Sequence, residues 1–411
     1  MNAPARSRAS GPMRRLFLIG AAMYTACVGC RLTTALAAVH AELSPAIIGP
    51  LMAVFALMPL LFAVRGGKII DRMGVRTPMM TGAALVVIGT LIAGLLPQAP
   101  AFVVAAACIG LGNMAFHLGM QHCAGEMGHS DSERTANFNL LTMGFSLSGM
   151  IGPPLAGWVI DHAGHALAFA VLGALASLVW IACRLFDFER HLPLGGRRPE
   201  AGAPEPVASS RNPFKIWQAA FELLGTRSFR LLLVTSLLFS AAWDAFQFVI
   251  PLHAHRIGLN ASAVGLAIAS FSSGSLTVRV LMPWISRWAS PSRYIALAMG
   301  VVIIGFCVLP FSAHLKALMA IAFVVGMGPG VAQPLLMSAL HVAAPHGRAG
   351  EGSGLRMTLV SVVQIVSPVA LGMVAAALGV TAIFYAFSIA AAGVALMLWK
   401  ARQDPAKGRP T

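Results

Sequence analysis

Charge is what this chain has least of. Only 10% of its 411 residues are Asp, Glu, Lys or Arg, against 57% hydrophobic. A soluble domain carries about 25% charged and about 45–50% apolar residues. Too few charges remain to cover a soluble surface, and the chain is far too apolar for disorder. Acids are scarcer than bases, 14 against 29, for a net charge of +15. No dense basic stretch is interleaved with aromatics, so the excess does not read as a nucleic-acid surface. Cysteine is sparse too. Cys27, Cys30, Cys108, Cys123, Cys183 and Cys307 all lie in or at the ends of apolar runs, which argues against a disulfide framework. Cys27 and Cys30 spell CxxC, which inside an apolar helix is either a pair of small packing residues or, less commonly, a redox or metal pair. Also missing are the G-x-x-x-x-G-K-[ST] phosphate loop, G-x-S-x-G and H-E-x-x-H. An ATP motor therefore does not reside in this chain, a membrane enzyme lacks its constellation, and no metal or cofactor is expected.

Long apolar runs are abundant. A helix needs roughly 17–25 residues to cross a hydrocarbon core of about 30 Å. Twelve runs qualify: 16–39, 46–64, 77–96, 101–124, 137–160, 166–183, 231–252, 261–283, 294–312, 317–340, 356–378 and 381–399. They are continuously apolar rather than alternating, which excludes a closed barrel. The first run has basic flanks (Arg14, Arg15) and small residues at Ala35-Leu36-Ala37, features of a cleaved signal. Its length, Arg31 and the eleven spans after it argue that it is retained. With the N-terminus in the cytoplasm and the spans alternating, 26 of the 29 basic residues fall on the cytoplasmic side. Only Arg256 and Lys316 fall outside, and Arg31 lies within a span. That asymmetry predicts cytoplasmic N- and C-termini in the cytoplasmic (plasma) membrane.

Residues 184–230, rich in Pro, Gly, Ala and charge, read as a cytoplasmic linker between six spans (1–183) and six spans (231–411). Two halves of six spans with a basic middle loop is a plan that places a solute site between the halves near the midplane. After span two comes Gly67-Lys-Ile-Ile-Asp71-Arg72-Met-Gly74-Val-Arg76. It resembles the G-x-x-x-D-R-x-G-R-R signature loop of the major facilitator superfamily, with Val75 at one basic position. Span five carries Gly152-Pro153-Pro154-Leu-Ala156-Gly157, similar to the G-P-x-x-G-G element of that superfamily's antiporters, with Ala156 for one glycine. Read physically, these glycines allow close helix contact or a tight turn, Asp71 can cap or pair at a helix end, and the prolines bend the helix. Gly157-x-x-x-Asp161-x-x-Gly164 repeats the loop grammar at the far end of span five. Two features depart from the family pattern. The equivalent second-half loop, Pro283-Trp-Ile-Ser-Arg287, lacks the acid, and span four, in a chain that otherwise resembles the superfamily's drug/proton antiporter branch, lacks the arginine usual in that branch and carries Asn113, His117 and Gln121. The resemblance implies an all-α membrane protein, twelve transmembrane helices in two six-helix bundles (the major facilitator fold). It further implies a monomer whose spans one, four, seven and ten line the cavity.

Thirteen of the fourteen acids lie at span ends, in loops or in the linker. Asp244 is alone, deep in span seven, and Arg31 is alone among the bases, deep in span one. Each lies roughly 20 Å from the cytoplasmic face at 1.5 Å per residue. A buried charge costs at least about 2.5–3.5 kcal/mol, so such groups face an interior cavity and pair. Ser236, Ser240, Asp244 and Gln247 form one helical stripe, Tyr24 and Arg31 share a face, and Asn113, His117 and Gln121 form a third stripe. Span ten contributes Gln333 and Gly328-Pro329-Gly330, read as a broken helix. Phe116, Trp243 and Phe248 are candidates for apolar contact, whereas Phe246 points to the other side of span seven.

Each of these polar groups has a plain alternative, a side chain bonding to a neighbouring helix. His117 reads more commonly as a satisfied core histidine, and Arg31 with Asp244 has a static pair as its alternative. The working expectation couples them to transport. Burial disfavours the carboxylate, and a guanidinium about 4 Å away favours it by about 4 kcal/mol at an effective dielectric of ~20. Separating them, or placing an anionic solute on Arg31, would let Asp244 take a proton. The expected activity is secondary transport of a small organic molecule, proton-coupled and outward. Uptake of a small organic anion is the alternative, with a membrane enzyme or a transporter-like sensor remote.

Overall fold

The computed structural model describes residues 11–127, 131–188, 224–285, 290–343 and 349–403. Among them are eleven α-helices: α1 (Gly11–His40), α2 (Pro45–Met73), α3 (Arg76–Leu95), α4 (Ala99–Glu126), α5 (Asp131–Leu185), α6 (Arg227–Arg256), α7 (Ala261–Ile285), α8 (Pro291–Val308), α9 (Leu315–Ala343), α10 (Ala349–Leu378) and α11 (Val380–Gln403). A single 3-10 turn, Leu309–Phe311, follows α8. Helix is the form these sequences must take if they lie in lipid, because it satisfies every backbone donor and acceptor within the segment.

Among the described residues ten helices are long and apolar enough to cross a membrane, and α2 has the shorter apolar stretch Pro45–Leu57. The apolar part of α5, Met143–Leu185, has 43 residues. Straight, it would measure about 65 Å, twice a hydrocarbon core. It is not straight. Gly164 sits at φ 79°, ψ 173°, outside helical space, and divides α5 into two arms. The arms match the predicted spans five and six, so the helices are consistent with twelve crossings. Most helices outrun their apolar runs by a few residues at one or both ends. The helix-breaking signal therefore comes from turn residues such as Gly74 (φ 73°), not from loss of hydrophobicity.

The first five helices pack among themselves, α1 along α5, α3 on α4 and α5, and α2 on α4. The last six do likewise, with α9 packed on α6, α7 and α8, and α11 on α6, α8 and α10. The two groups meet along α5 and α7, along α2 and α10, and where α1 touches α6. Aromatic side chains fill the interior: Phe102, Phe116, Phe169, Phe239, Phe246, Phe271, Phe306 and Phe384 are fully buried. Leu18, Leu91, Leu178, Trp284 and Ile389 point outward and are more than half exposed. An apolar outer surface of this kind suits hydrocarbon, not water. Most of the predicted linker, 189–223, lies outside the described residues.

Candidate functional site

The acid and the base that stand alone deep in the predicted spans meet. Arg31 on α1 donates from Nη2 to Oδ1 of Asp244 on α6 at 3.2 Å, tying the first helix group to the second. The Asp244 side chain is 2% exposed, that of Arg31 26%. The exposed part of Arg31 lines a narrow cleft with Met52, Pro153, Gln247, Phe248 and Ile268, so both groups contribute walls. Of the α6 stripe, Gln247 reaches this cleft, whereas Ser240 turns back and donates to the Ser236 carbonyl at 3.1 Å. Phe246 stacks on Phe271 (centroids 4.3 Å apart, 18° between planes), away from the cleft as its position predicts.

A second cluster lies within the first group. The Tyr24 hydroxyl and His117 Nδ1 are 2.8 Å apart, and Gln121 Nε2 reaches His117 Nε2 at 2.9 Å. With the Gln121 amide as the donor, Nε2 is the acceptor and Nδ1 carries the ring proton. Tyr24 also stacks on Phe145 at 4.0 Å and meets Phe116 edge-on. This network satisfies both ring nitrogens of His117. Asn113 is on the same stripe but not in the network, and its Oδ1 is buried without a partner.

Gln333 belongs to a third place. Its Oε1 accepts from Nη2 of Arg279 at 3.4 Å, and Nη1 of Arg279 donates to Ser146 Oγ at 3.3 Å. Arg279 had been assigned to the cytoplasmic side. The structure adds what the count does not give: α7 continues to Ile285 and holds Arg279 inside the seam with α5 and α9. Arg356, assigned the same way, is 8% exposed and donates from Nε to Ser236 Oγ at 2.6 Å. Both positions stand at span ends, where a positive-inside count absorbs them without asking which way they face. A basic residue followed by further apolar residues, as in Arg279-Val-Leu-Met, was the available signal. The expected break at Gly328-Pro329-Gly330 is corrected, because α9 runs unbroken from Leu315 to Ala343. Those glycines serve packing: a Cβ at Gly328 would crowd Val302, and one at Gly330 would meet the Ser275 carbonyl at 2.7 Å.

The span-five glycines and prolines make close contacts between helices. Gly152 lies against α1, where a Cβ would come within 2.7 Å of the Thr25 carbonyl. Gly157 lies against the Ala261 carbonyl, and Gly265 of α7 lies against the Pro153 carbonyl. At the end of this seam Asp161 crosses between the groups. Its Oδ1 accepts from the Ala261 N–H at 2.9 Å and its Oδ2 from the Ser262 N–H at 2.8 Å. Asn260 takes the Ala263 N–H at 3.1 Å. Three of the first N–H groups of α7 are thereby satisfied, one element by its own cap and two by the opposite group. The Gly157–Gly164 spacing is visible in the sequence, but the partner of Asp161 is not. Gly74 makes the expected turn after α2, and Arg76 donates to the Arg184 carbonyl at 3.1 Å. Gly67, Asp71 and Arg72 lie on α2, outside the residues whose side chains the structure describes.

Comparison with known proteins agrees with this architecture. The chain is 25% identical over 341 residues to the uncharacterized MFS-type transporter YfkL of Bacillus subtilis, 80% of each chain. It is 30% identical over 125 residues to the galacturonate transporter of Dickeya chrysanthemi, spanning 35% of that protein and 29% of this one. Among solved structures it superposes on a bacterial homologue of the human lysosomal transporter Spinster with a TM-score of 0.76 at 15% identity, covering 98% of this chain and all of the other. The family profile of the Major Facilitator Superfamily matches residues 16–368. This chain, an integral membrane protein of apolar helices in two packed groups, belongs to the Major Facilitator Superfamily.

Proposed function

We propose that the protein is a secondary active transporter that exports a small organic solute across the cytoplasmic membrane in exchange for protons. In this reading twelve spans form two bundles, 1–183 and 231–411, joined by a cytoplasmic linker, with both termini in the cytoplasm and one chain as the working unit. The single observation that carries it is the Arg31–Asp244 pair, which joins the two groups at a cleft both of them line. A carboxylate buried this deeply needs either its guanidinium or a proton. While α1 and α6 are together, Arg31 holds Asp244 charged. When they separate, Asp244 takes a proton. Proton binding and bundle separation then share one free energy, as coupled exchange requires.

The test is transport in proteoliposomes under an imposed pH gradient, with a panel of labelled solutes. Asp244→Asn should abolish pH-driven accumulation while retaining exchange of solute for solute. Gradient-driven transport equal to the parent in Asp244→Asn would overturn the coupling.

A second reading is proton-coupled uptake of an organic anion. Two observations favour it: the partly exposed face of Arg31 in the cleft, and the local likeness to a carrier of galacturonate, which is a carboxylate. Vesicles of the two orientations separate the readings by the direction of net movement.

A further inference from the structure

Building on the transport reading, we propose that Arg279, Ser275 and Gln333 form a second anion site, made for the carboxylate group of the transported solute. Three features carry it. Arg279 has neutral partners only, Ser146 at 3.3 Å and Gln333 at 3.4 Å, both at the long end of hydrogen-bond range. Among the described residues no carboxylate lies within ion-pair distance of it. Its Nε is buried without a partner, and so is the hydroxyl of Ser275, which is fully buried. Ser275 and Arg279 are four residues apart on α7 and so share a face.

Two unsatisfied polar groups side by side, one of them a cation without a counter-ion, are costly in an apolar interior. A carboxylate answers both: its two oxygens suit the planar guanidinium fork, and it accepts from a hydroxyl as well. The Gln333 amide adds donor hydrogens on the α9 side. One positive charge with neutral donors matches a monoanion, whereas a phosphate dianion would bring a second negative charge with nothing to meet it.

The position gives the site a use. Arg279 is eleven residues past Ile268, which lines the Arg31 cleft, so it stands about 16 Å further along α7. It is displaced away from the end that Asp161 closes. A carboxylate held at Arg279 is thus one stage removed from Arg31 along the same seam, between the cleft and the opposite face of the membrane.

The test is thermal unfolding of the full chain in phosphatidylcholine nanodiscs, at constant ionic strength, with benzoate, benzyl alcohol or inorganic phosphate. Benzoate should raise the Tm of the parent, benzyl alcohol should not, and phosphate should raise it less. The response should persist in Arg31→Met/Asp244→Asn and vanish in Arg279→Met. Gln333→Glu, which supplies an internal carboxylate and removes no cation, should be folded and equally unresponsive, so the result does not depend on Arg279→Met folding. No benzoate response in the parent, a response that survives in Arg279→Met or Gln333→Glu, or one lost with the Arg31 variant would overturn the site. So would a phosphate response as large as that of benzoate. None of these readouts requires transport, so loss of the site and failure of the transport reading are separable.

Discussion

Arg31 and Arg279 are both guanidiniums inside the helical body, and the protein treats them in opposite ways. Arg31 has a carboxylate partner, and that partner belongs to the other helix group. Arg279 has only a hydroxyl and an amide, at longer distances, and a buried Nε with no acceptor. The first arrangement is complete as it stands and links the two halves. The second is incomplete and holds its charge ready for something not on the chain. A charge that pairs internally reports on conformation, and a charge that does not pair reports on a ligand. The sharpest prediction follows from the different consequences of deleting each one.

Arg31→Met leaves Asp244 buried without its guanidinium, so that it must stay as an unpaired carboxylate or take up a proton to fold, a cost of up to about 3–5 kcal/mol. Arg31→Met/Asp244→Asn should recover most of that loss, because no charge is left behind. Arg279→Met strands no counter-charge and should leave stability equal or higher. Chemical denaturation of the three variants measures all of this. Equal losses for Arg31→Met and Arg279→Met would erase the distinction between the two arginines.

The seam that both arginines border can be broken at its tightest point. Gly157 sits directly on the Ala261 carbonyl, so Gly157→Leu forces α5 and α7 apart. Overpacking of this kind costs about 1–3 kcal/mol. Here the cost falls on the state in which α5 and α7 are packed. Cysteine accessibility at positions along the Arg31 cleft should rise in Gly157→Leu and leave the Arg279 level unchanged. Opening at both levels alike would mean that the seam moves as one rigid unit.

How much of this was readable beforehand differs by level. The spans were legible because apolar runs of that length have few other fates, and the break at Gly164 was legible from Gly and Asp spacing. Arg31 and Asp244 were legible as a lone base and a lone acid at matched depths on equivalent helices, but that their side chains meet was not, because depth along a helix does not fix which way a side chain faces. Arg279 and Arg356 were hidden by the same charge logic. Loop counting assigns any arginine near a span end to water, while the helix and its burial extend beyond the apolar run. The candidate solute residues were legible only one helix at a time. Period 3.6 shows which residues share a face of one helix, not which neighbour that face meets. So Tyr24 with His117, Gln247 with Arg31, and Gln333 with Arg279 turned out to be three separate places. Asp161 was seen as a span-end acid, but no sequence rule points from it to the N-terminus of a helix one hundred residues later.

That crossing contact gives the third prediction. Asp161 satisfies two N–H groups at the start of α7 from the opposite group, so Asp161→Ala should cost about 1–2 kcal/mol of that closure. The charge of Asp161 also faces the positive end of the helix dipole, so Asp161→Asn should retain part of the loss and make it less sensitive to salt. Spin labels on α5 and α7 near residues 161 and 261 should report a wider distance distribution in Asp161→Ala. An unchanged distribution would place the closure in the glycine contacts alone.

The smallest effect belongs to the cluster that is already satisfied. Tyr24→Phe removes one hydroxyl from His117 and keeps the stacking on Phe145. The expected loss is about 1 kcal/mol, because Gln121 still engages the other ring nitrogen. If Tyr24, His117 and Gln121 only pack the first helix group, that shift in stability will be the whole effect, and solute affinity will not move. A fall in solute affinity at unchanged Tm would show that the network faces the solute. The comparison would then involve three polar places, with the neutral one recognising the uncharged part of a molecule whose acid group the two arginines attend to.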